Sequence, residues 1–252
     1  MDNIVAVVVT FNRLSLLQEC IKCLRNQTKI INQLIVINNG STDGTAQWLQ
    51  VQEDIYTISQ ENLGGAGGFH RGIKEAYENE YDWVWVMDDD AFPNEDCLEK
   101  LLLASGKIQN DHIVLAPVIV EGNKIDSLHR GYIGLTKIQY PLQTPVDDVS
   151  FNSQENPLEI SFASFIGMFL SKKVIESTGF PKHEYFIFHD DVEYSIRITK
   201  SGNSIYLVKD AIIYHKTQIS DAIEAYNDYQ KIKIIKKTGQ KNLVIGEINM
   251  LI

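Results

Sequence analysis

Three adjacent carboxylates, Asp88, Asp89 and Asp90, end the apolar run Trp83-Val84-Trp85-Val86-Met87, and Pro93 follows shortly after. Trp and Val favour a pleated, half-buried surface, so the run reads as a short core strand presenting its acids at the C-terminal end. Neighbouring carboxylates repel one another, and a hard divalent cation, Mg²⁺ or Mn²⁺, would relieve that repulsion through oxygen ligation. A solvated acidic turn that caps the following helix is the other reading of the same triplet. A second acidic stretch, His189-Asp190-Asp191-Val192-Glu193-Tyr194, follows the aromatic segment Tyr185-Phe186-Ile187-Phe188. Here Asp190 reads as a helix N-cap and Asp191 as a first-turn acid favoured by the helix dipole. Between the two termini of the chain's core lie a glycine-rich stretch, Asn62-Leu63-Gly64-Gly65-Ala66-Gly67-Gly68, and a late histidine, His215. Glycines let a backbone approach a ligand closely and a helix N-terminus suits a phosphate, although a plain turn has the same composition. Imidazole complements carboxylates on Mn²⁺, although a single histidine is as readily structural.

These residues need elements to hold them. Ile4 to Thr10 is a continuous β-branched run, the mark of a strand covered on both faces, and Leu14, Leu17, Ile21 and Leu24 recur at helical spacing. Gln33 to Asn38 is a second buried strand, so strand, helix and strand form a parallel βαβ unit. Asn39-Gly40-Ser41-Thr42-Asp43-Gly44-Thr45 is dense in turn and N-cap residues and leads to a short helix at Trp48 and Leu49. A strand at 55–59, a helix opened by the glycine stretch, the Asp strand, a helix over 94–107 and a strand over 113–120 continue the alternation. Residues 121–160 carry little periodicity and read as a loop or small hairpin excursion. Residues 160–170 resume as one strand, followed by a short helix ended by Gly179, a helix from Asp190 to near Gly202, and two short strands at 205–208 and 211–214.

The chain has 252 residues, 44% of them hydrophobic and 22% charged, which suits a soluble globular fold with a sizeable core. Three cysteines do not all pair, and Cys20 and Cys23 fall on a helical pattern without a second pair, so core packing rather than zinc is expected. No basic leader and no apolar run of about 20 residues is present, so the protein is expected in the cytoplasm. A net charge of −10 argues against a broad nucleic-acid surface and asks for a cation if the ligand is a phosphate compound. Residues 200–252 carry 8 Lys+Arg against 5 Asp+Glu. Lys231, Lys233, Lys236, Lys237 and Lys241, interleaved with Ile232, Ile234 and Ile235, suit an anionic membrane surface or a helix laying its isoleucines on the domain.

Taken in order, V-T-F-N-R (9–13), N-N-G-S-T-D-G-T (38–45), E-N-L-G-G-A-G-G-F (61–69), M-D-D-D (87–90), H-D-D-V-E-Y (189–194) and Y-H (214–215) resemble the family 2 nucleotide-sugar glycosyltransferases of GT-A fold. Within that family they look most like the bacterial galactofuranosyltransferases, with rhamnosyltransferases next. The resemblance implies an α/β, Rossmann-like, mixed but mainly parallel sheet flanked by helices. It covers residues 1–216, divided into a donor half at 1–110 and an acceptor and catalytic half at 111–216, with a C-terminal helical tail at 217–252. It implies that Thr10, Asn12 and Arg13 hold the nucleotide base and ribose. Asn38 stands where the family commonly has an aspartate reading the base. Asn62, Gly64, Gly65 and Gly67 fall near the diphosphate and donor sugar; Asp88, Asp90 and His215 match metal ligands, and Asp191 matches the catalytic base. Asp89 is left to touch the donor.

The expected reaction is inverting, metal-dependent transfer of a sugar, galactofuranose from UDP-galactofuranose or rhamnose from dTDP-rhamnose, to a hydroxyl of a glycan or lipid-linked oligosaccharide. A carboxylate within reach of the acceptor hydroxyl takes its proton, and Phe186, Phe188 and Tyr194 are expected to desolvate Asp191 and raise its pKa. The family and the basic tail suggest peripheral association with the inner membrane face. The oligomeric state stays open, a homo-oligomer included. A nucleotidyltransferase would carry a basic glycine-rich loop after the first strand, where this chain has Phe11-Asn12-Arg13. A glycoside hydrolase would leave the clustered acids unexplained. A nucleotide-sugar-binding subunit without turnover is the non-enzymatic alternative.

Overall fold

The computed structural model describes residues 2–134 and 143–216. The expected C-terminal helical tail, with its lysines, therefore lies outside the described residues. The chain alternates as expected through β1 (Ile4–Thr10), α1 (Leu14–Arg25), β2 (Gln33–Asn38), α2 (Thr45–Leu49), β3 (Ile55–Ser59), α3 (Gly64–Glu78) and β4 (Trp83–Asp88). Strands β4, β1, β2 and β3 lie side by side and parallel, and their C-terminal ends face one edge: Val9 pairs with Asp88 and Thr10 with Asn38. Every residue of β1 is buried, with Ile4, Ala6 and Val8 in the core on one face and Val5, Val7 and Val9 on the other. Two-sided burial explains why the run is continuously apolar rather than alternating. Leu16, Leu17, Cys20, Ile21 and Leu24 of α1 cover the first face; Phe69, Ile73 and Ala76 of α3 cover the second.

The second half extends the same sheet through β5 (Ala91–Pro93), α4 (Cys97–Ser105) and β6 (Ile113–Glu121), and closes with α6 (Lys172–Thr178), α7 (Asp190–Lys200) and β13 (Ser204–His215). Between β6 and α6 lie β7 (Lys124–Ile125), β8 (Arg130–Ile133), β9 (Gln143–Pro145), α5 (Asp148–Phe151), β10 (Leu158–Ile160), β11 (Phe162–Ala163) and β12 (Met168–Ser171). The main sheet runs β10-β13-β6-β12-β4-β1-β2-β3, with β12 antiparallel between β6 and β4. Phe169 of β12 stacks on Trp83 at 4.5 Å, and the buried Trp85 donates its indole N–H to Gly167 O at 3.1 Å. These contacts seat the acidic strand in the centre of the sheet.

The structure departs from the sequence reading in four places. The glycine stretch opens α3 as expected, but from Gly64 onward it already forms the helix's first turns and not a separate phosphate loop. The single strand expected over 160–170 is three pieces, because Leu158–Ile160 pairs with β13, Phe162–Ala163 with β8 and Met168–Ser171 with β4 and β6. Residues 204–215 form one strand, its register on β6 interrupted by a bulge between Val208 and Ile212. The patternless 121–160 segment contains β8 and β9, which form a small sheet with β11 beyond it.

Glycine at 72 is required by close approach. A Cβ there would stand 2.2 Å from Val7 Cγ1 and 3.3 Å from Ile37 Cγ1. Gly72→Ala therefore pushes α3 off β1, and the overpacking cost of about 1–3 kcal/mol exceeds the gain of about 1 kcal/mol in helix propensity. Urea denaturation should show a lower midpoint than the parent chain; an unchanged or raised midpoint would contradict the packing.

Candidate active site

The acidic strand end is a tight turn. β4 stops at Asp88, Asp89 and Asp90 make the turn, and β5 resumes at Ala91. β5 runs antiparallel to the end of β13, with His215 opposite Ala91, so the register brings His215 to Asp90 across a gap of 125 in sequence. His215 Nε2 lies 3.3 Å from Asp90 Oδ1. Asp90 Oδ1 is buried and accepts no aligned hydrogen bond. The second oxygen of Asp90 and both of Asp89 are engaged: Arg13 Nη1 donates to Asp90 Oδ2 at 2.9 Å and to Asp89 Oδ1 at 3.3 Å, and Thr10 Oγ1 donates to Asp89 Oδ2 at 2.7 Å.

Burial decides the protonation of this end. Desolvation, then repulsion from Asp90 and Asp89, pushes the Asp88 carboxyl to about 7. Desolvation takes Asp89 to about 7 as well, although Arg13 and Thr10 oppose it. Asp90 behaves oppositely: burial would raise it, but the contact with His215 and the charge of Arg13 outweigh burial and hold it below the usual carboxylate range. His215 is the mirror case, since burial would lower its imidazole and Asp90, with Asp88 beyond, raises it. The positive charge that this acidic end requires is thus supplied within the chain by Arg13 and His215.

A cleft of about 290 Å³ opens beside this end, lined among others by Thr10, Asn12, Arg13, Asn62, Gly64, Gly65, Asp88 and Asp89. Most of the donor-side residues expected from sequence therefore meet there. Asn38 and Gly67 do not line it. Asn38 is buried and its Oδ1 accepts the Ser41 N–H at 3.0 Å, a fastening of the 39–45 loop; Asn39 lines the cleft instead. Gly67 faces Leu63, where a Cβ would meet Leu63 Cβ at 2.4 Å. Asn12, at φ +54°, accepts the Thr42 N–H at 2.7 Å and so clamps the same loop onto the start of α1.

Phe186 and Ile187 close the cleft from the other half of the chain. Phe186 O accepts the Ala66 N–H at 3.1 Å, and a Cβ on Gly64 would lie 1.9 Å from that oxygen. Gly64 also sits at φ +73°, so the start of α3 admits glycine on two counts. Phe186, Phe188 and His189 all have positive φ as well. Three non-glycine residues held in that region within four positions store strain next to the acidic pair.

His189, not Asp190, is the N-cap of α7, and both aspartates lie in its first turn. Asp191 Oδ1 accepts the Val192 N–H at 2.7 Å. Burial raises Asp191 while the charges of His129 and Arg130 pull it back, and its buried neighbour Asp190 is pushed well above the carboxylate range. The expected direction for Asp191 holds, with desolvation its first cause, while two of the three expected aromatics are placed otherwise. Phe188 is 46% exposed, and Tyr194 turns into the core against Phe165 with its hydroxyl on Gly179 O at 2.9 Å.

Three residues at this end escaped the sequence reading. Arg130 is buried and donates to the carbonyls of Pro117, His129 and Ile166 and to Ser164 Oγ. His129 reaches Ser164 Oγ through Nδ1 at 3.1 Å and Asp126 Oδ2 through Nε2 at 3.3 Å, and its ring meets that of His215 edge-on at 5.5 Å. An isolated basic pair, His129-Arg130, in an otherwise patternless segment was the available signal.

A mixed, mainly parallel sheet whose central strand ends in buried aspartates under a cleft defines a GT-A glycosyltransferase domain. Residues 5–177 match the model of glycosyl transferase family 2, and the chain belongs to that family. It is 29% identical over 224 residues to galactofuranosyltransferase GlfT1 of Mycobacterium tuberculosis strain H37Rv, covering 85% of this chain and 70% of that protein. To GlfT1 of Mycolicibacterium smegmatis it is 28% identical over 205 residues, covering 80% and 67%. Among solved structures it resembles GalNAc-T7 with UDP, GalNAc and Mn²⁺ (TM-score 0.70, 12% identity, 87% of this chain and 44% of that one). It also resembles residues 1–349 of S. aureus TarS in complex with UDP-GlcNAc (TM-score 0.62, 15% identity, 86% and 59%). The chain thus spans under half of the GalNAc-T7 chain and under two thirds of the TarS one, and these likenesses concern the fold.

The shifted aspartates have a measurable consequence. Asp88 and Asp89 ionise near 7 in the folded chain and near 4 when unfolded, so the folded state binds more protons across that interval and stability falls as pH rises through it. His215, raised when folded, contributes stability that is also lost as pH rises through its folded value. The chain stripped of divalent ions should melt at a lower temperature at about pH 7.5 than at about pH 5.5. A rising melting temperature over that range would refute the buried-acid assignment.

Proposed function

We propose that this chain is a metal-dependent, inverting hexosyltransferase that moves galactofuranose from UDP-galactofuranose to a hydroxyl of a growing cell-surface glycan or lipid-linked oligosaccharide. The observation that carries the metal site is the buried Asp90 Oδ1 held 3.3 Å from His215 Nε2. A carboxylate oxygen and an imidazole nitrogen this close are a donor set that suits a shared divalent cation. Among the described residues no three acidic, histidine or cysteine side chains gather into a ready-made metal cluster. A small protein ligand set completed by water and substrate phosphate is what Mg²⁺-like ions accept. Asp90 and His215 would hold the ion, with Asp88 beside them. When bound, it supplies positive charge where the departing diphosphate becomes negative.

The chain's own groups do the rest. Thr10, Asn12 and Arg13 form the wall on which the nucleoside rests, and Asn62, Gly64 and Gly65 bring the start of α3, with its positive dipole end, to the diphosphate. Asp89, fixed by Thr10 and Arg13, holds this wall to the acidic turn. Asp191, desolvated yet near the positive charges of His129 and Arg130, is the group that takes the proton of the acceptor hydroxyl. Attack on the anomeric carbon opposite the diphosphate inverts its configuration. The GlfT1 relatives support galactofuranose as the sugar, and the neighbours solved with UDP or UDP-GlcNAc support a uridine nucleotide. Among the described residues no helix is long and apolar enough to cross a membrane.

Thermal shift with Mn²⁺ and UDP-galactofuranose, UDP-galactopyranose, UDP-glucose or dTDP-rhamnose should stabilise the chain most with the first. Preference for dTDP-rhamnose would replace the donor assignment. Asp191→Asn should lower transfer by about 10²–10⁴-fold with donor affinity nearly intact; loss of donor binding instead would move Asp191 into the donor site. Product of retained anomeric configuration would exclude the single displacement.

A further inference from the structure

Resting on the metal site proposed above, we infer that Asp126, His129, Ser164 and Arg130 form a strut that sets the ring of His215 for metal binding, with His129 as its positioning residue. His215 is the last residue of β13, and its backbone is fixed by pairing with Ala91 on one side and Glu121 on the other. Strand pairing fixes where its Cβ stands. It does not by itself aim the imidazole, whose direction is set by its side-chain torsions. A metal-binding histidine needs its ring aimed as well as placed, which is why outer groups around such ligands matter for affinity.

The ring of His129 meets that of His215 edge-to-face, with centroids 5.5 Å apart and planes at 76°. Both nitrogens of His129 are committed: Nδ1 to Ser164 Oγ at 3.1 Å and Nε2 to Asp126 Oδ2 at 3.3 Å. The Asp126 carboxylate can only accept, so the imidazole N–H falls on Nε2, facing it, and Nδ1 is left to accept from the Ser164 hydroxyl, which also takes Arg130 Nη1–H at 3.3 Å.

The two ends of the strut are themselves anchored. Asp126 takes the Leu128 N–H on Oδ1 at 2.9 Å, and its own N–H donates to Ile119 O at 2.8 Å, tying it to β6. Arg130 reaches Pro117 O with Nε at 2.8 Å, His129 O with Nη1 at 2.6 Å and Ile166 O with Nη2. A guanidinium that is 3% exposed and bonded mainly to main-chain carbonyls is costly to bury. Here it holds together the segments that carry His129 and Ser164. The strut thus runs from β6, through the start of β8, to the ring of His215.

The test is Mn²⁺ titration calorimetry of the full chain saturated with UDP. The parent chain binds Mn²⁺, and His129→Ala weakens that binding by about 10–100-fold while the melting transition remains cooperative. Asp126→Asn, at the more exposed end of the strut, weakens Mn²⁺ binding in the same direction and decides the matter should His129→Ala fail to fold. A folded variant at either position that melts lower yet binds Mn²⁺ within about twofold of the parent overturns the strut and reduces these residues to packing. Failure of the parent chain to bind Mn²⁺ with UDP overturns the metal site itself, and the strut with it.

Discussion

Three consecutive carboxylates at the end of a buried strand cannot all ionise without a nearby positive charge, and much of this domain is arranged around that requirement. The cations come from distant parts of the chain. Arg13 arrives from the turn after β1 and touches Asp89 and Asp90. His215 arrives at the end of β13 and touches Asp90 from the other side. Removing one partner of a buried charge pair leaves the other uncompensated, which is far costlier than the pair is stabilising. The first turn and the last described strand are thereby coupled to one central strand, and the parallel sheet between them supplies the rigid frame that makes such coupling possible.

The same economy appears where the two halves of the cleft meet. Gly64 lets Phe186 O sit on the first turn of α3, satisfying an N–H that a helix start leaves without an intrahelical partner. The Phe186–His189 segment, strained at three positions, is held by that contact on one side and by α7 on the other. Donor-side backbone and the acidic pair at the start of α7 are therefore not independent modules. A shift of one is transmitted to the other through a single peptide.

How much of this was legible beforehand depends on the range of the interactions involved. The strands β1, β2 and β4 declare themselves because strands covered on both faces must be continuously apolar, and Asp88 to Asp90 stand out because acids interrupt such a run. Asp191 and His215 stand out in the sequence only through their order relative to that triplet. His129, Arg130 and Ser164 do not, since their meeting depends on β8 pairing with β11, a contact between short strands with no period to announce it. The break of 160–170 into three strands was hidden for the same reason: an apolar run tells that it is buried, not how many partners it serves. Asn38 and Asn39 show the limit at single-residue scale, where adjacent identical amides divide the work and only the direction of each side chain tells them apart.

The bulge in β13 does more than interrupt a ladder. Before it, Ile205 and Leu207 face the same core as α3; after it, Ile213 faces the core of α1. Val208 pairs with Pro117 and Ile212 with Val118, so four steps along one strand match one step along its neighbour and the inside-outside parity of the strand is reversed. His215 inherits that reversal. On an uninterrupted strand every odd-numbered residue would share one face, and this imidazole would point to the opposite side of the sheet from Ile213's present neighbours. The side of the sheet on which His215 stands thus depends on a reading frame written in backbone rather than in codons, and a one-residue insertion or deletion between Val208 and Ile212 would be its frameshift.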